Sequence, residues 1–152
     1  MSRSFADHFS RVAPGYASYR PRYPEALFAY LAALPARREL AWDCAAGSGQ
    51  ATVGLLPYFL RIVATDASAV LLASAPADPR IDYRVAPAEA SGLESSSADL
   101  ITVAQAAHWF DLLAFYREVE RVLALELEAL WGPVDGARRV TWPLALRVGR
   151  RP

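Results

Sequence analysis

Apolar positions along the chain change rhythm several times, and each change marks an element. Leu27, Leu31 and Leu34 recur at spacings of four and three behind Pro24 and Glu25, which suit a first helical turn, and Pro35 stops the run. The apolar segment LAWDC (40–44) then enters AAGSG, the pattern of a strand running into a glycine-rich turn, and residues 48–56 suit a helix. FLRIVAT (59–65), closed by Asp66, predicts a second buried strand, followed by a short alanine-rich helix that Pro76 and Pro79 end. IDYRV (81–85) and ADLITVA (98–104) predict a third and a fourth strand. Strand, helix, strand at these lengths calls for an α/β fold, a mostly parallel sheet with helices on its faces.

The two ends read differently. Residues 5–24, FADHFSRVAPGYASYRPRYP, mix aromatics, arginines, glycine and prolines without helical or strand periodicity over the second half and predict a loop lying on the core. From Leu112 an apolar stripe continues through Tyr116, Val119, Leu123, Leu127 and Leu130. With no glycine or proline before Gly132, it predicts one unbroken helix to about Leu130. Val140, Trp142, Leu144, Leu146 and Val148 alternate strictly, which predicts a half-buried strand that Pro143 confines to a sheet edge. That strand is expected to cover the free edge of strand four; the competing expectations are a second copy of the chain pairing there, giving a homodimer, and a disordered tail after Gly136.

Composition narrows the function classes. A chain of 152 residues, 54% of them hydrophobic, has room for one core and is read as a single domain. Charges balance at 16 of each sign, yet they are segregated: residues 1–40 carry a net +3, residues 41–136 a net −8 and residues 137–152 a net +5. The middle stretch that would hold a ligand is thus acidic, which argues against a polyphosphate or nucleic-acid surface. Every basic side chain is arginine, so no lysine nucleophile or phosphate-loop lysine exists. The single cysteine, Cys44, excludes an internal disulfide and a multi-cysteine metal site. The N-terminus lacks the apolar run of a signal peptide and no window approaches the roughly 18 apolar residues of a membrane span, so a cytoplasmic protein is expected.

The strongest chemical signal is DCAAGSGQ (43–50), after a strand and before a helix. A glycine turn lets backbone approach a ligand closely, and Asp66 at the end of the next strand could accept hydrogen bonds from two ribose hydroxyls, because ligands of open α/β sheets bind beyond the carboxyl ends of the strands. Gly47 and Gly49 could equally make a plain turn. A dinucleotide site is disfavoured because the GxGxxG pattern beginning at Gly47 has Thr52 where the third glycine belongs. A nicotinamide-dependent oxidoreductase is accordingly the least favoured reading.

Taken together, YASYRPRYP (16–24), WDCAAGSGQ (42–50), VATDAS (63–68), YRVAPAEASGL (83–93), ADLITVAQAAHWFD (98–111) and FYREVERVL (115–123) resemble class I S-adenosylmethionine-dependent methyltransferases. The similarity is to the type-11 methyltransferase domain, of the branch that includes trans-aconitate methyltransferase and other small-molecule enzymes. It implies a Rossmann-like three-layer sandwich, incomplete at its C-terminal part, with S-adenosylmethionine as cofactor and a small-molecule acceptor. It divides the chain into a cofactor-covering segment (1–23), a cofactor-binding core (24–123) and an atypical C-terminal part (124–152).

By the same resemblance Ala45, Gly47 and Gly49 flank the amino-acid part of the cofactor with Asp43 leading in, Asp66 holds the ribose, and Ala88 and Glu89 meet the adenine. Gln105 lies at the methionine side, His108 and Trp109 line the acceptor pocket, and Tyr16, Tyr19 and Arg20 fold over the cofactor. Arg20 would meet its carboxylate, and His108 and Arg20 are the candidate catalytic groups. Two departures stand out. Ala45 replaces the family's first glycine, which alanine can do if its backbone angle is ordinary. After residue 123 the family's turn into a fifth strand is missing, which leaves two classes of function: a shortened enzyme that methylates a small molecule such as a carboxylic acid, and a noncatalytic nucleoside-binding or structural remnant completed by a partner or by dimerisation.

Overall fold

The computed structural model describes residues 23–123. Helix α1 (Glu25–Ala32) leads to β1 (Leu40–Cys44), α2 (Gln50–Leu55), β2 (Arg61–Asp66), the single turn α3 (Ala69–Leu72) and β3 (Ile81–Val85). Strand β4 (Leu100–Val103), a 3-10 turn (Ala107–Trp109) and α4 (Leu112–Val122) follow. The four strands lie in the order β3-β2-β1-β4 and every pair is parallel. This is the predicted sheet, with β1 and β3 at the expected residues.

Strand β1 is buried on both faces, as a central parallel strand should be. Ala41, Ile62 and Leu100 point to one face and pack with Phe28 and Ala32 of α1 and Ala51 and Leu55 of α2. Trp42, Cys44 and Val63 point to the other and pack with Phe115 and Val122 of α4. Helices therefore cover both faces of the sheet. The close helix contact that the sequence seemed to lack at Thr52 is made two residues later: a Cβ on Gly54 would collide with the Phe28 ring.

Three expectations are corrected. Along α1 the buried residues are Phe28 and Ala32, while Leu27 and Leu34 of the predicted stripe are exposed, because the phenylalanine over Gly54 sets the helix rotation. Along α4 the buried face is Phe115, Glu118 and Val122, with Leu112 and Tyr116 outside; a buried glutamate breaks a stripe counted from apolar residues alone. Nor does α4 run to Leu130. It ends at Val122, and Leu123 is extended (φ −68°, ψ 132°) and bridges Ala98 in parallel. Tertiary pairing outweighs the helix propensity of the following residues: Ser96 N–H donates to the carbonyl of Arg121 and both Ser97 and Ala98 N–H groups to that of Val122, satisfying the last helix carbonyls. The predicted strand over 138–148 lies outside the described residues.

Candidate functional site

Because β2 and β3 build outward from β1 on one side and β4 returns on the other, the chain reverses direction between β1 and β4. Ligands of open α/β sheets bind beyond the carboxyl ends at such a point. Backbone conformation there is unusual. Ala45 (φ +57°), Gly47 (φ +57°) and Gly49 (φ +80°) after β1, and Gln105 (φ +57°) after β4, are all left-handed. The condition under which alanine would replace glycine without cost, an ordinary backbone angle, is not met at Ala45, and an L-residue in that region costs about 1–2 kcal/mol. The two glycines differ in role. A Cβ on Gly49 would meet the Tyr83 hydroxyl at 2.8 Å, so this glycine packs, whereas a Cβ on Gly47 meets nothing within 4 Å and faces open space.

Asp66 ties the loop to β2. Its Oδ2 accepts from Gly47 N–H and its Oδ1 from Ser68 N–H, each at 2.8 Å. A carboxylate has about four acceptor positions, so these amides orient the group and leave capacity for two further donors. Asp43 lies deeper. Thr52 Oγ1 donates to its Oδ2 at 2.5 Å and Thr102 Oγ1 to its Oδ1 at 3.0 Å. Burial pushes its carboxyl up to about 6 against the opposing pull of those hydroxyls, and neighbouring Asp66 adds to the rise. Asp43 is placed beneath the loop, joining α2 to β4.

The remaining candidates line the same end of the sheet. Ala88 is buried and Glu89 accepts from Asp111 N–H at 2.9 Å, which joins the segment after β3 to the start of α4. Gln105 Nε2 donates to the Tyr23 hydroxyl at 3.2 Å, and Tyr23 meets Phe28 edge-on. His108 and Trp109 sit on the exposed 3-10 turn with ring centroids 4.8 Å apart. Tyr16, Tyr19 and Arg20 lie outside the described residues. Cys44 is buried, its thiol pushed up to about 12 by burial, and is no nucleophile. Thr52, Thr102 and Tyr23 are site residues that the sequence reading missed. An aspartate inside an apolar strand signals that hydroxyl or amide partners must exist nearby, and the two threonines answer that signal.

The donor set suits a nucleoside joined to an amino acid better than a polyphosphate: an amide-held carboxylate for hydroxyls, a backbone cradle open at Gly47, and acidic surroundings without lysine. Comparison with known proteins agrees. A family model described as a methyltransferase domain matches residues 42–126. The chain is 42% identical over 120 residues to a Dictyostelium discoideum protein designated a methyltransferase, covering 78% of this chain and 46% of that one. It is 34% identical over 143 residues to an uncharacterized methyltransferase of Mycobacterium tuberculosis, covering 92% of this chain and 57% of the relative. A solved structure from Anaeromyxobacter dehalogenans, designated a type II methyltransferase, matches with TM-score 0.67 and 46% identity over 70% of this chain and 45% of that one. This chain spans about half the length of these relatives. With more than half of its own residues inside the family model and a Rossmann-like parallel sheet shared with the solved structure, the chain belongs to the methyltransferase domain family, in the class I group whose cofactor is S-adenosylmethionine.

Proposed function

We propose that the chain binds S-adenosylmethionine at the carboxyl ends of β1, β2 and β4 and serves methyl transfer to a small-molecule acceptor. The observation that carries this reading is the left-handed turn at Ala45, Gly47 and Gly49, clasped to Asp66 through the Gly47 amide and open above Gly47. Asp66 would hold the ribose hydroxyls, the Ala45–Gly49 turn the amino-acid part, Ala88 and Glu89 the adenine, and Gln105 the methionine side. Bound there, the cofactor supplies a methyl group on a positively charged sulfur, already activated for transfer. The protein's share is then to orient the acceptor and exclude water.

His108 and Trp109, on the exposed turn after β4, would form one wall for the acceptor. His108 has no carboxylate partner among the described residues, so nothing there readies it as a general base. That favours an acceptor needing no base, and an ionised acid oxygen is such a group; small carboxylic acids are the class to assay first. Calorimetry with S-adenosylhomocysteine tests the cofactor reading: saturable binding that Gly47→Val removes supports it, and absence of binding to the wild type rejects it. A methyl-transfer assay over a panel of small acids tests the acceptor separately, with methyl ester formation as the expected product.

A further inference from the structure

Two arms of backbone orient the Asp66 carboxylate. One is the glycine turn, whose Gly47 N–H donates to Oδ2; the other is the start of α3, where Ser68 N–H donates to Oδ1. Each arm runs on past Asp66. The first continues to Gly49 at the head of α2, and the second through α3, where Ser68 Oγ accepts from Leu71 N–H at 3.4 Å, to Ala75 and Pro76. Both then meet one group, the hydroxyl of Tyr83 on β3. It donates to the Pro76 carbonyl at 3.0 Å, and a Cβ on Gly49 would lie 2.8 Å from it. Ala75 and Pro76 close on the same place, at 3.1 and 3.5 Å from that Cβ. The sheet register explains how a β3 residue reaches the head of α2. Tyr83 is in register with Ala64 of β2 and Ala64 with Asp43 of β1, so the three project to one face, the face on which Thr52 of α2 meets Asp43. Ala64 carries only a methyl group, which leaves the phenol room to cross over β2.

Resting on the cofactor reading above, we infer that Tyr83 is a positioning residue for the ribose. Its hydroxyl ties the outer ends of both arms, which fixes the span between Gly47 and Ser68 and so the plane of the carboxylate held between them. Hydrogen bonds to such an oxygen are best near the plane of its carbonyl group, so a turned Asp66 would offer its two free positions to the ribose hydroxyls at poorer angles. In this role Tyr83 acts through Asp66 without touching the ligand. The fold itself needs the hydroxyl little, because Pro76 is exposed and water can serve its carbonyl instead.

Calorimetric titration of the full chain with S-adenosylhomocysteine tests this as a double-mutant cycle. Tyr83→Phe should weaken binding by roughly three- to tenfold, the range for residues coupled through one network. On an Asp66→Ala background the same change should cost less than about twofold, because the carboxylate it orients is gone. A merely structural role would give the same loss on both backgrounds. Gly49→Ala drives a methyl group against the hydroxyl, so Tyr83→Phe should there act with the opposite sign and recover part of the affinity, while the left-handed backbone keeps its own cost. The melting temperature of Tyr83→Phe should stay within about 4 °C of wild type. Wild-type affinity in Tyr83→Phe, full additivity with Asp66→Ala, or no recovery on the Gly49→Ala background overturns the inference and leaves the cofactor reading intact. So does a collapse in melting temperature, which would assign the hydroxyl to the fold. Failure of the wild type to bind overturns the cofactor reading and the inference with it.

Discussion

The amino and carboxyl ends of the sheet are built differently. At the amino end of β1 and β4, Asp99 Oδ2 accepts from the N–H groups of Glu39 and Leu40 at 2.8 and 3.0 Å, while Arg37 pairs with Oδ1 at 3.2 Å. This locked side continues into the segment before β4, where buried Glu118 of α4 holds Ser91 through its N–H and hydroxyl and pairs with Arg121, which in turn donates to the carbonyl of Leu93. At the carboxyl end, Ala45, Gly47, Gly49 and Gln105 are left-handed, Asp43 pairs with no cation among the described residues, and Asp66 is held by neutral amides. One side is closed by ion pairs and satisfied amides; the other keeps conformational cost and acceptor capacity where a ligand would use them.

The largest effect expected from disturbing this contrast is on the locked side. Glu118→Ala takes the acceptor from Nε and Nη2 of Arg121, which keeps only its Nη1 contacts, and from the Ser91 amide, and should destabilise the fold by about 3 kcal/mol, short of the upper range for fully buried pairs because Arg121 is partly exposed. Urea unfolding measures it, and the remaining folded protein should bind S-adenosylhomocysteine with unchanged affinity. A loss of affinity as large as the loss of stability would dissolve the division between the two sides.

Acid should act on the sides in opposite directions. The Arg121 hydrogen bonds, then those of Ser91, hold Glu118 down at about 2, below its ordinary 4.5. Its contribution is therefore present above about pH 4.5 and is lost as pH falls through about 2. Asp43, raised by burial from 3.8 to about 6, contributes most below about pH 4, and that contribution is lost as pH rises through about 6. Asp43→Asn should remove about 2–3 kcal/mol of stability change between pH 4 and 7, read as the difference between wild-type and variant urea midpoints. A variant with the wild-type profile would deny Asp43 this role.

Next in size is the open side's own test. Asp66→Ala should weaken S-adenosylhomocysteine binding by about ten- to a hundredfold, the worth of hydrogen bonds to a charged group at roughly 1.5–3 kcal/mol. A dissociation constant equal to the wild type would remove Asp66 from the ribose role. The smallest expected change sharpens the contrast from the other direction: Ala45→Gly relieves a left-handed alanine and should raise stability by about 0.5–1 kcal/mol in thermal melting. No gain would mean that the turn holds its shape at no cost.

Much of the frame was legible because parallel strands write themselves as short apolar runs: LAWDC and IDYRV coincide with β1 and β3. The glycine turn was legible too, since left-handed backbone favours one residue type. Other features depend on partners distant in sequence. Glu118 reads as a surface residue until Ser91 and Arg121 are seen around it, and Thr52 reads as a missing glycine until its hydroxyl is found on Asp43. The end of α4 was illegible for the same reason. Nothing local stops the helix at Val122; the amides of residues 96–98, brought alongside by β4, stop it.

That stop has a consequence for assembly from parts. With the last carbonyls of α4 sealed by residues 96–98 and Leu123 already aligned beside Ala98, residue 123 is a junction whose geometry is set upstream. The register of β1 against β4 and the turn at Ala45–Gly49 are both built from residues that precede this junction. The open end of the sheet is thus framed entirely by residues upstream of its own closing bridge, as a socket is shaped before anything is fitted to it.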